Sequence, residues 1–177
     1  ALLGYEQLKS SNVTATLNVL KLAYSKSELK HVYHISTIGV VQGFKQAKVL
    51  EESVPLEIHN AILSASGYSQ SKFVAEMLVH QVAAQYHIPT IVFRPGMIGP
   101  DTVNGMGNDN DWVVRLIRGC IMLGYYPDTN HRELDWIPVN DASRAIVECC
   151  NEASELVFTR SSKQKTTYHL CNGKKNA

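Results

Sequence analysis

The chain has 177 residues, a formal net charge of +1, 45% hydrophobic residues and 19% charged residues. This length suits one domain with a hydrophobic core, and the composition excludes general disorder. Because the sequence has no basic run and no long apolar stretch, neither nucleic acid nor a membrane is an expected partner.

The predicted elements alternate between helices and short, β-rich strands. In chain order they are a helix over Tyr5–Ala23, a strand over His31–Ile35, a helix from Ser66 to near Pro89, a strand over Thr90–Phe93, a loop over Gly99–Asp111, a helix over Trp112–Leu123, an extended segment over Leu134–Val139, a helix from Asn140 to about Cys150, and a strand over Thr167–Cys171. This alternation predicts an α/β fold with a parallel sheet and right-handed crossovers.

A dinucleotide-binding fold normally opens with a strand, a Gly-rich turn and a helix that holds the pyrophosphate. The motif G-x-G-x-x-G is absent from the sequence, and the first predicted element is a helix. We therefore expect the C-terminal portion of a Rossmann-like sheet, without its first β-α-β units. A complete small α/β protein is the alternative.

The four cysteines show no C-x-x-C spacing, and two of them are adjacent. This pattern suits neither a disulfide framework nor a zinc site, so no metal is expected. It predicts reduced core thiols and a cytoplasmic location. The cysteines are Cys120, Cys149, Cys150 and Cys171.

The segment Ser66–Glu76 contains a tyrosine and a lysine four positions apart, Tyr68 and Lys72. On a helix these two side chains share one face. An ammonium held near a phenol favours the phenolate, so we expect the pKa of Tyr68 to lie below its reference value of about 10. The pair on its own is weak evidence, since such spacings arise by chance on solvated helix faces.

Two further segments fall at predicted strand ends. Ser36 and Thr37 end the first strand, and Arg94–Gly99 ends the second. The carboxyl ends of strands in an α/β sheet meet at one site. A hydroxyl, a phenol and an ammonium placed there can polarise a carbonyl, donate a proton to it and hold a ribose. Although each segment alone would be an ordinary turn, together they favour carbonyl reduction or the reverse oxidation.

The order of these segments resembles the extended short-chain dehydrogenase/reductase superfamily. Within it the chain closely resembles thioester reductase domains, the terminal reductases of nonribosomal peptide and polyketide synthetases, carboxylic acid reductases and aminoadipate reductases. The segments that carry the resemblance are Tyr5–Val13, Gly67–Glu76, Arg94–Gly99, Asn108–Cys120 and Trp136–Ile146.

The resemblance implies a role for each site residue. Thr37 occupies the position of the catalytic hydroxyl, with its neighbour Ser36 ranked second. Tyr68 matches the catalytic phenol, and Lys72 matches the lysine that binds the nicotinamide ribose and tunes the phenol. Asn12 matches a helix asparagine to which we assign a structural role. The loop that passes along the nicotinamide corresponds to Pro95, Gly96, Met97 and Ile98.

The resemblance also implies the reaction: NADPH-dependent release of an acyl thioester as an aldehyde, with further reduction to the alcohol left open. The partner would be an acyl or peptidyl carrier protein with a phosphopantetheine arm, in a synthetase with upstream domains. Residues 1–98 would then belong to the Rossmann-like core, and 99–177 to a substrate-side helical region with a returning helix and final strand. We expect the fragment alone to be inactive without an N-terminal cofactor-binding part.

Arg115 and Arg118 on the predicted helix Trp112–Leu123 could face the acidic carrier, or could simply belong to a solvated helix face.

Two other functions remain open. The first is an extended reductase acting on a small free carbonyl, such as a hydroxysteroid or flavonoid, or on a nucleotide sugar. The segment Ile38–Gly43 speaks against a sugar epimerase, because those relatives usually continue the strand end with Val-Tyr-Gly. The second is a non-catalytic docking module that keeps the fold, for which the missing Gly-rich loop is the support.

Overall fold

The computed structural model describes residues 3–25, 30–41, 58–128, 136–156 and 166–172. Within them helices and strands alternate as the sequence predicts. The helices are α1 (Tyr5–Lys9), α2 (Ala15–Tyr24), α3 (Ile58–Leu63), α4 (Gly67–Tyr86), α5 (Trp112–Leu123) and α6 (Val139–Leu156). The strands are β1 (Val32–Ile35), β2 (Thr90–Pro95), β3 (Met97–Gly99), β4 (Trp136–Pro138) and β5 (Thr167–Leu170).

All described strand pairs are parallel, which confirms the predicted α/β class. One sheet has the order β1-β2-β5, and a second sheet pairs β3 with β4. In the first sheet Ile35 lies opposite Phe93, and Arg94 lies opposite His169. The ends of β1, β2 and β5 are therefore brought to one edge. The division of the chain after residue 98 stays a prediction.

Strand β2 is covered on both faces, as its continuous apolar sequence indicates. Val92 packs with Leu20 of α2 and Val79 of α4 on one face. The alternate residues Ile91 and Phe93 face the other way and pack with β5 and α6. The sheet is thus the middle of three layers. Among the described residues, no helix has the length and hydropathy that a bilayer crossing requires.

The first helix differs from its prediction. Instead of one regular helix over Tyr5–Ala23, a π-helical turn at Ser10–Thr14 separates α1 from α2. The amide of Asn12, inside this turn, donates to Ser71 Oγ of α4 at 2.9 Å. Ser71 in turn donates to the carbonyl of Tyr68 at 2.9 Å. The structural role expected for Asn12 is thus a tie between the two helices.

The bounds of other elements also differ from those predicted from the sequence. Strand β2 runs on to Pro95, because Arg94 and Pro95 pair with β5. Helix α6 begins at Val139 and extends to Leu156, beyond the predicted end near Cys150. Helix α3 lies in a stretch for which no element was predicted. Residues 42–57 of that stretch and residues 134–135 of the predicted extended segment lie outside the described residues.

The buried face of α4 is more polar than predicted. The helical periodicity predicts Tyr68, Phe73, Val74, Met77, Leu78 and Val82 on its buried side, but Tyr68 is 36% exposed. Phe73 is buried as predicted, whereas the other predicted aliphatic residues are only partly buried. Two of the buried polar residues of α4 have partners on other elements: Ser71 accepts from Asn12, and Glu76 accepts from Arg94. The other fully buried residues of α4 are Ser69, Ser71, Ala75, Glu76 and Val79.

Candidate active site

Tyr68 lies in the first turn of α4, where Ser66 caps the helix by accepting a hydrogen bond from the backbone N–H of Ser69 at 3.2 Å. The hydroxyl of Thr37 lies close enough to the Tyr68 phenol to lower the pKa of that phenol. Thr37 Oγ1 also accepts from the backbone N–H of Gly39 at 3.2 Å, in the 3₁₀ turn that follows β1. The two hydroxyls therefore lie side by side at a partly exposed position.

Lys72 lies one turn beyond Tyr68. Its Nζ donates to the carbonyl of Ile35 at 2.5 Å, two residues before Thr37. An ammonium has three donors, so two remain for other groups. The structure thus gathers Thr37, Tyr68 and Lys72 around the end of β1, as expected from the strand-end argument.

The predicted direction of the Tyr68 pKa is wrong for this chain. Burial raises the pKa of Tyr68, and the hydrogen bond from Thr37 only partly offsets that effect. Burial lowers the pKa of Lys72, while the charge of Glu76 raises it. Because the Lys72 ammonium is turned to the Ile35 carbonyl, it does not shift the phenol pKa downward. Tyr68 therefore carries its proton near neutral pH, and it can donate that proton.

The segment Pro95–Ile98 begins at the same sheet edge, one strand further along. Ser36 N–H donates to the Phe93 carbonyl at 2.7 Å, which continues the β1–β2 ladder up to Thr37. Gly96 N–H donates to the carbonyl of Leu170 at 2.8 Å. Met97 and Ile98 belong to β3, and Ile98 is 44% exposed. The segment is held by β5 and β4, and it presents an apolar side chain to solvent.

The surroundings of Ser36 do not suit the role of second candidate for the catalytic hydroxyl. It is buried, and its Oγ donates to Glu76 Oε2 at 2.5 Å. Glu76 is also paired with the buried Arg94, whose Nε donates to Oε1 at 3.0 Å and whose Nη2 donates to the same oxygen. Arg94 Nη1 lies 3.2 Å from Nε2 of His169 on β5. This cluster ties α4 to the ends of three strands.

Neither Glu76 nor Arg94 stood out in the sequence, because charged residues usually lie on the protein surface. Their burial depends on a pairing between two separate elements that the sequence does not show. A signal was present: Glu76 follows Lys72 by one helical turn, and Arg94 precedes Pro95. Burial alone would raise the pKa of Glu76, but contacts with His80, Arg94 and Ser36 outweigh it and lower the pKa to about 2. Glu76 is therefore an anion at physiological pH.

A cavity of about 360 Å³ lies beside β3 and the start of α5. Its lining is mostly apolar, and a volume of this size is at the lower end for small-molecule sites. Among its residues the sequence analysis assigned a site role to Ile98 alone, because the lining comes from separate elements. The lining consists of Ile98, Gly99, Pro100, Gly107, Asn108, Asp111, Val114, Trp136 and Val139.

Both arginines considered for carrier contact bind their own preceding loop. Arg115 Nη2 donates to Asn110 Oδ1 at 2.8 Å, and Arg118 Nη2 forms an ion pair with Asp109 Oδ1 at 2.9 Å. These contacts shape the loop before α5. The contact of either arginine with a carrier stays a prediction.

Comparisons with known proteins identify a family and several relatives of this chain. The sequence matches the family described as Male sterility protein over residues 2–146. It is 37% identical over 147 residues to the nonribosomal peptide synthetase asaC of Aspergillus flavus, which covers 81% of this chain and 14% of that protein.

Among solved structures, the chain is similar to the terminal R domain from the myxalamid PKS-NRPS biosynthetic pathway. The TM-score is 0.77 at 31% identity, covering 96% of this chain and 40% of that one. The reductase (R) domain of a nonribosomal peptide synthetase from Mycobacterium tuberculosis gives a TM-score of 0.67 at 26% identity, covering 93% and 41%. The chain thus spans about two fifths of these solved domains and a small part of the curated relative.

Proposed function

Since the chain belongs to the family described as Male sterility protein, a family of NAD(P)-binding reductase domains, we propose that it takes part in the NADPH-dependent reductive release of an acyl thioester from a carrier protein. The observation that carries the proposal is the pair of adjacent hydroxyls of Thr37 and Tyr68, with the Lys72 ammonium one helical turn away. The resemblance to synthetase reductases directs this carbonyl chemistry to a thioester rather than to a free ketone.

The described residues fit a nicotinamide cofactor. Lys72 keeps two N–H donors beyond the one given to Ile35, which suits the hydroxyls of a ribose. The exposed side chain of Ile98 offers an apolar surface for the nicotinamide ring. NADPH, when bound, supplies a hydride to the carbonyl carbon of the thioester.

The residues of the chain act on the carbonyl oxygen. As that carbon gains the hydride, the oxygen gains negative charge, and the hydroxyls of Thr37 and Tyr68 stabilise it by hydrogen bonds that are strongest for the oxyanion. Tyr68 then donates its proton to the oxygen, which gives a hemithioacetal. Cleavage of the carbon–sulfur bond then returns the hydroxyl proton of the hemithioacetal to the Tyr68 oxygen, and the departing thiolate takes a proton from water, which gives the aldehyde and the free thiol of the carrier arm.

The cavity beside Ile98 supports an apolar substrate. It lies where Pro95–Ile98 leads away from the sheet edge, and Val114, Trp136 and Val139 supply apolar walls. We assign this cavity to the acyl chain, and the carrier with its phosphopantetheine arm to the same side of the molecule. A cytoplasmic location remains our prediction from the cysteines.

The test uses the intact protein that carries this chain, loaded with an acyl thioester on its carrier. We expect Tyr68→Phe to slow aldehyde formation about 10²–10³-fold, as in other oxyanion sites, while carrier loading persists. Lys72→Ala should abolish aldehyde release, again while carrier loading persists. Tyr86→Phe is the matched control, because Tyr86 packs against Tyr24 at the far end of α4. Unchanged turnover in Tyr68→Phe would contradict the mechanism.

The substrate class is tested separately. A pantetheine-bound acyl thioester should oxidise NADPH, whereas a free ketone of the same chain length should not. Faster reaction with the ketone would favour a reductase of small free carbonyls. Absence of NADPH binding by the intact protein would favour the docking-module alternative.

A further inference from the structure

Glu76 is a buried carboxylate that the proposed mechanism does not use. Its side chain is fully buried on the sheet side of α4, one turn after Lys72. One of its oxygens, Oε2, accepts the hydrogen bond from Ser36, whose next residue is Thr37. Its other oxygen, Oε1, accepts from the guanidinium of Arg94, whose next residue is Pro95. Glu76 thus contacts the residue that precedes each of two predicted site segments.

We propose that Glu76 is the positioning residue of this site: it holds the strand ends that present Thr37 and Pro95, and it places a negative charge one helical turn from Lys72. The role in turnover rests on the proposed reductase function, whereas the effect on Lys72 does not.

The electrostatic argument depends on which charges surround Glu76 and Lys72. Among the described residues Glu76 is the anion in a group that is otherwise basic, so replacing its charge would leave Lys72 beside cations and histidines. The other titratable or charged members are Lys72 and His80 on α4, His34 on β1, Arg94 on β2 and His169 on β5.

The pKa directions agree with this arrangement. Burial lowers the pKa of Lys72, and Glu76 raises it. Because the pKa of Glu76 itself is about 2, its charge is present across the whole physiological range. Loss of that charge lowers the pKa of Lys72 further, so the ammonium is lost at lower pH.

The first test reads the Lys72 amine directly and needs neither cofactor nor substrate. The rate of Lys72 acetylation by acetic anhydride, followed by peptide mass spectrometry across pH, gives the midpoint of its titration in the intact protein that carries this chain. We expect Glu76→Gln to lower that midpoint by about one pH unit or more, as for the loss of a nearby opposite charge. Glu76→Asp, which keeps the charge, should restore most of it.

Glu6→Gln is the matched control, because Glu6 is an exposed residue of α1 paired only loosely with Lys9 at 3.8 Å. It should leave the Lys72 midpoint unchanged. If Glu76→Gln leaves Arg94 uncompensated and the chain does not fold, the double variant Glu76→Gln/Arg94→Met replaces the ion pair by a neutral pair. The Lys72 midpoint should fall in this variant too, because Glu76, and not Arg94, is the charge that raises the pKa of Lys72.

The second test concerns turnover in the intact protein. Glu76→Gln should shift the alkaline limb of the kcat profile to lower pH by the same amount as the acetylation midpoint, with little change in KM. A merely structural role would lower kcat at every pH without moving the limb.

An unchanged Lys72 midpoint in a folded Glu76→Gln variant, single or double, would overturn the proposal. A shifted midpoint in a protein that reduces no thioester would leave the assignment of Glu76 intact and would refute the proposed function instead.

Discussion

Gly67→Ala is the substitution for which the structure predicts the clearest loss of stability. Gly67 is the first residue of α4, where α1 crosses. A Cβ added at Gly67 would lie 2.5 Å from the carbonyl carbon of Gly4 and from the backbone nitrogen of Tyr5. Both neighbours are backbone atoms, so no side chain can rotate away, and α1 must shift by about 1 Å to regain ordinary contact.

Such overpacking costs about 2–3 kcal/mol of the free energy of unfolding. For a domain of this size the corresponding decrease in Tm is about 4–12 °C. Because the next residue is Tyr68, the shift should also displace the phenol and slow turnover. Thermal and urea unfolding, followed by circular dichroism, measure the first effect.

Gly119→Ala is the matched control. Gly119 lies inside α5, and a Cβ there would meet nothing within 4 Å. Alanine is the better helix former by about 0.5–1 kcal/mol, so this variant should be slightly more stable than the parent chain. A Gly67→Ala variant as stable as the parent, or a Gly119→Ala variant that loses as much as Gly67→Ala, would refute the close approach of α1 and α4.

Three further predictions concern pH, the buried ion pair and the cavity. Burial and the nearby Lys72 lower the pKa of His34 from 6.5 to about 4. Because the unfolded chain binds this proton more readily than the folded chain, the free energy of unfolding should decrease as the pH falls from about 6.5 towards 4. Urea unfolding at pH 7 and 4.5 should show that His34→Gln lessens this loss, and an identical loss in the variant would contradict the assignment. Arg94→Met should cost about 3–5 kcal/mol of the free energy of unfolding, because it leaves the carboxylate of Glu76 buried without its main cation. The double variant Arg94→Met/Glu76→Gln should recover part of this loss, and an equally unstable double variant would contradict the stabilising role of the Glu76–Arg94 ion pair. Val114→Trp should narrow the cavity and lower kcat/KM for long acyl thioesters more than for an acetyl one, whereas an equal loss for both would exclude the cavity as the acyl site.

Much of the fold follows from local sequence patterns. The apolar run Thr90–Phe93 predicted a strand covered on both faces, and Val92 and Phe93 do pack against opposite layers. The spacing of Tyr68 and Lys72 predicted one helix face at a strand end, where both now lie. These predictions succeeded because burial of apolar residues and helix periodicity act over a few residues.

The remaining features depend on partners far away in the sequence. The π-helical turn contains Asn12, whose hydrogen-bond partner Ser71 lies 59 residues further on. The burial of Glu76 requires Arg94 from a different element, and no local sequence pattern connects the two residues. The pKa of Tyr68 was predicted in the wrong direction because the sequence shows neither the burial of the phenol nor the turn of the Lys72 ammonium to the Ile35 carbonyl.

The most direct measurement of the central claim is a double-mutant cycle on Thr37 and Tyr68, read as single-turnover aldehyde formation by the intact protein. Each of Thr37→Val and Tyr68→Phe should slow the reaction about 10²–10³-fold. Because the two hydroxyls lie close together and, in the proposed mechanism, act on one oxygen, the double variant should lose much less than the product of the single losses. A double loss equal to that product, or a single variant with undiminished turnover, would contradict the account.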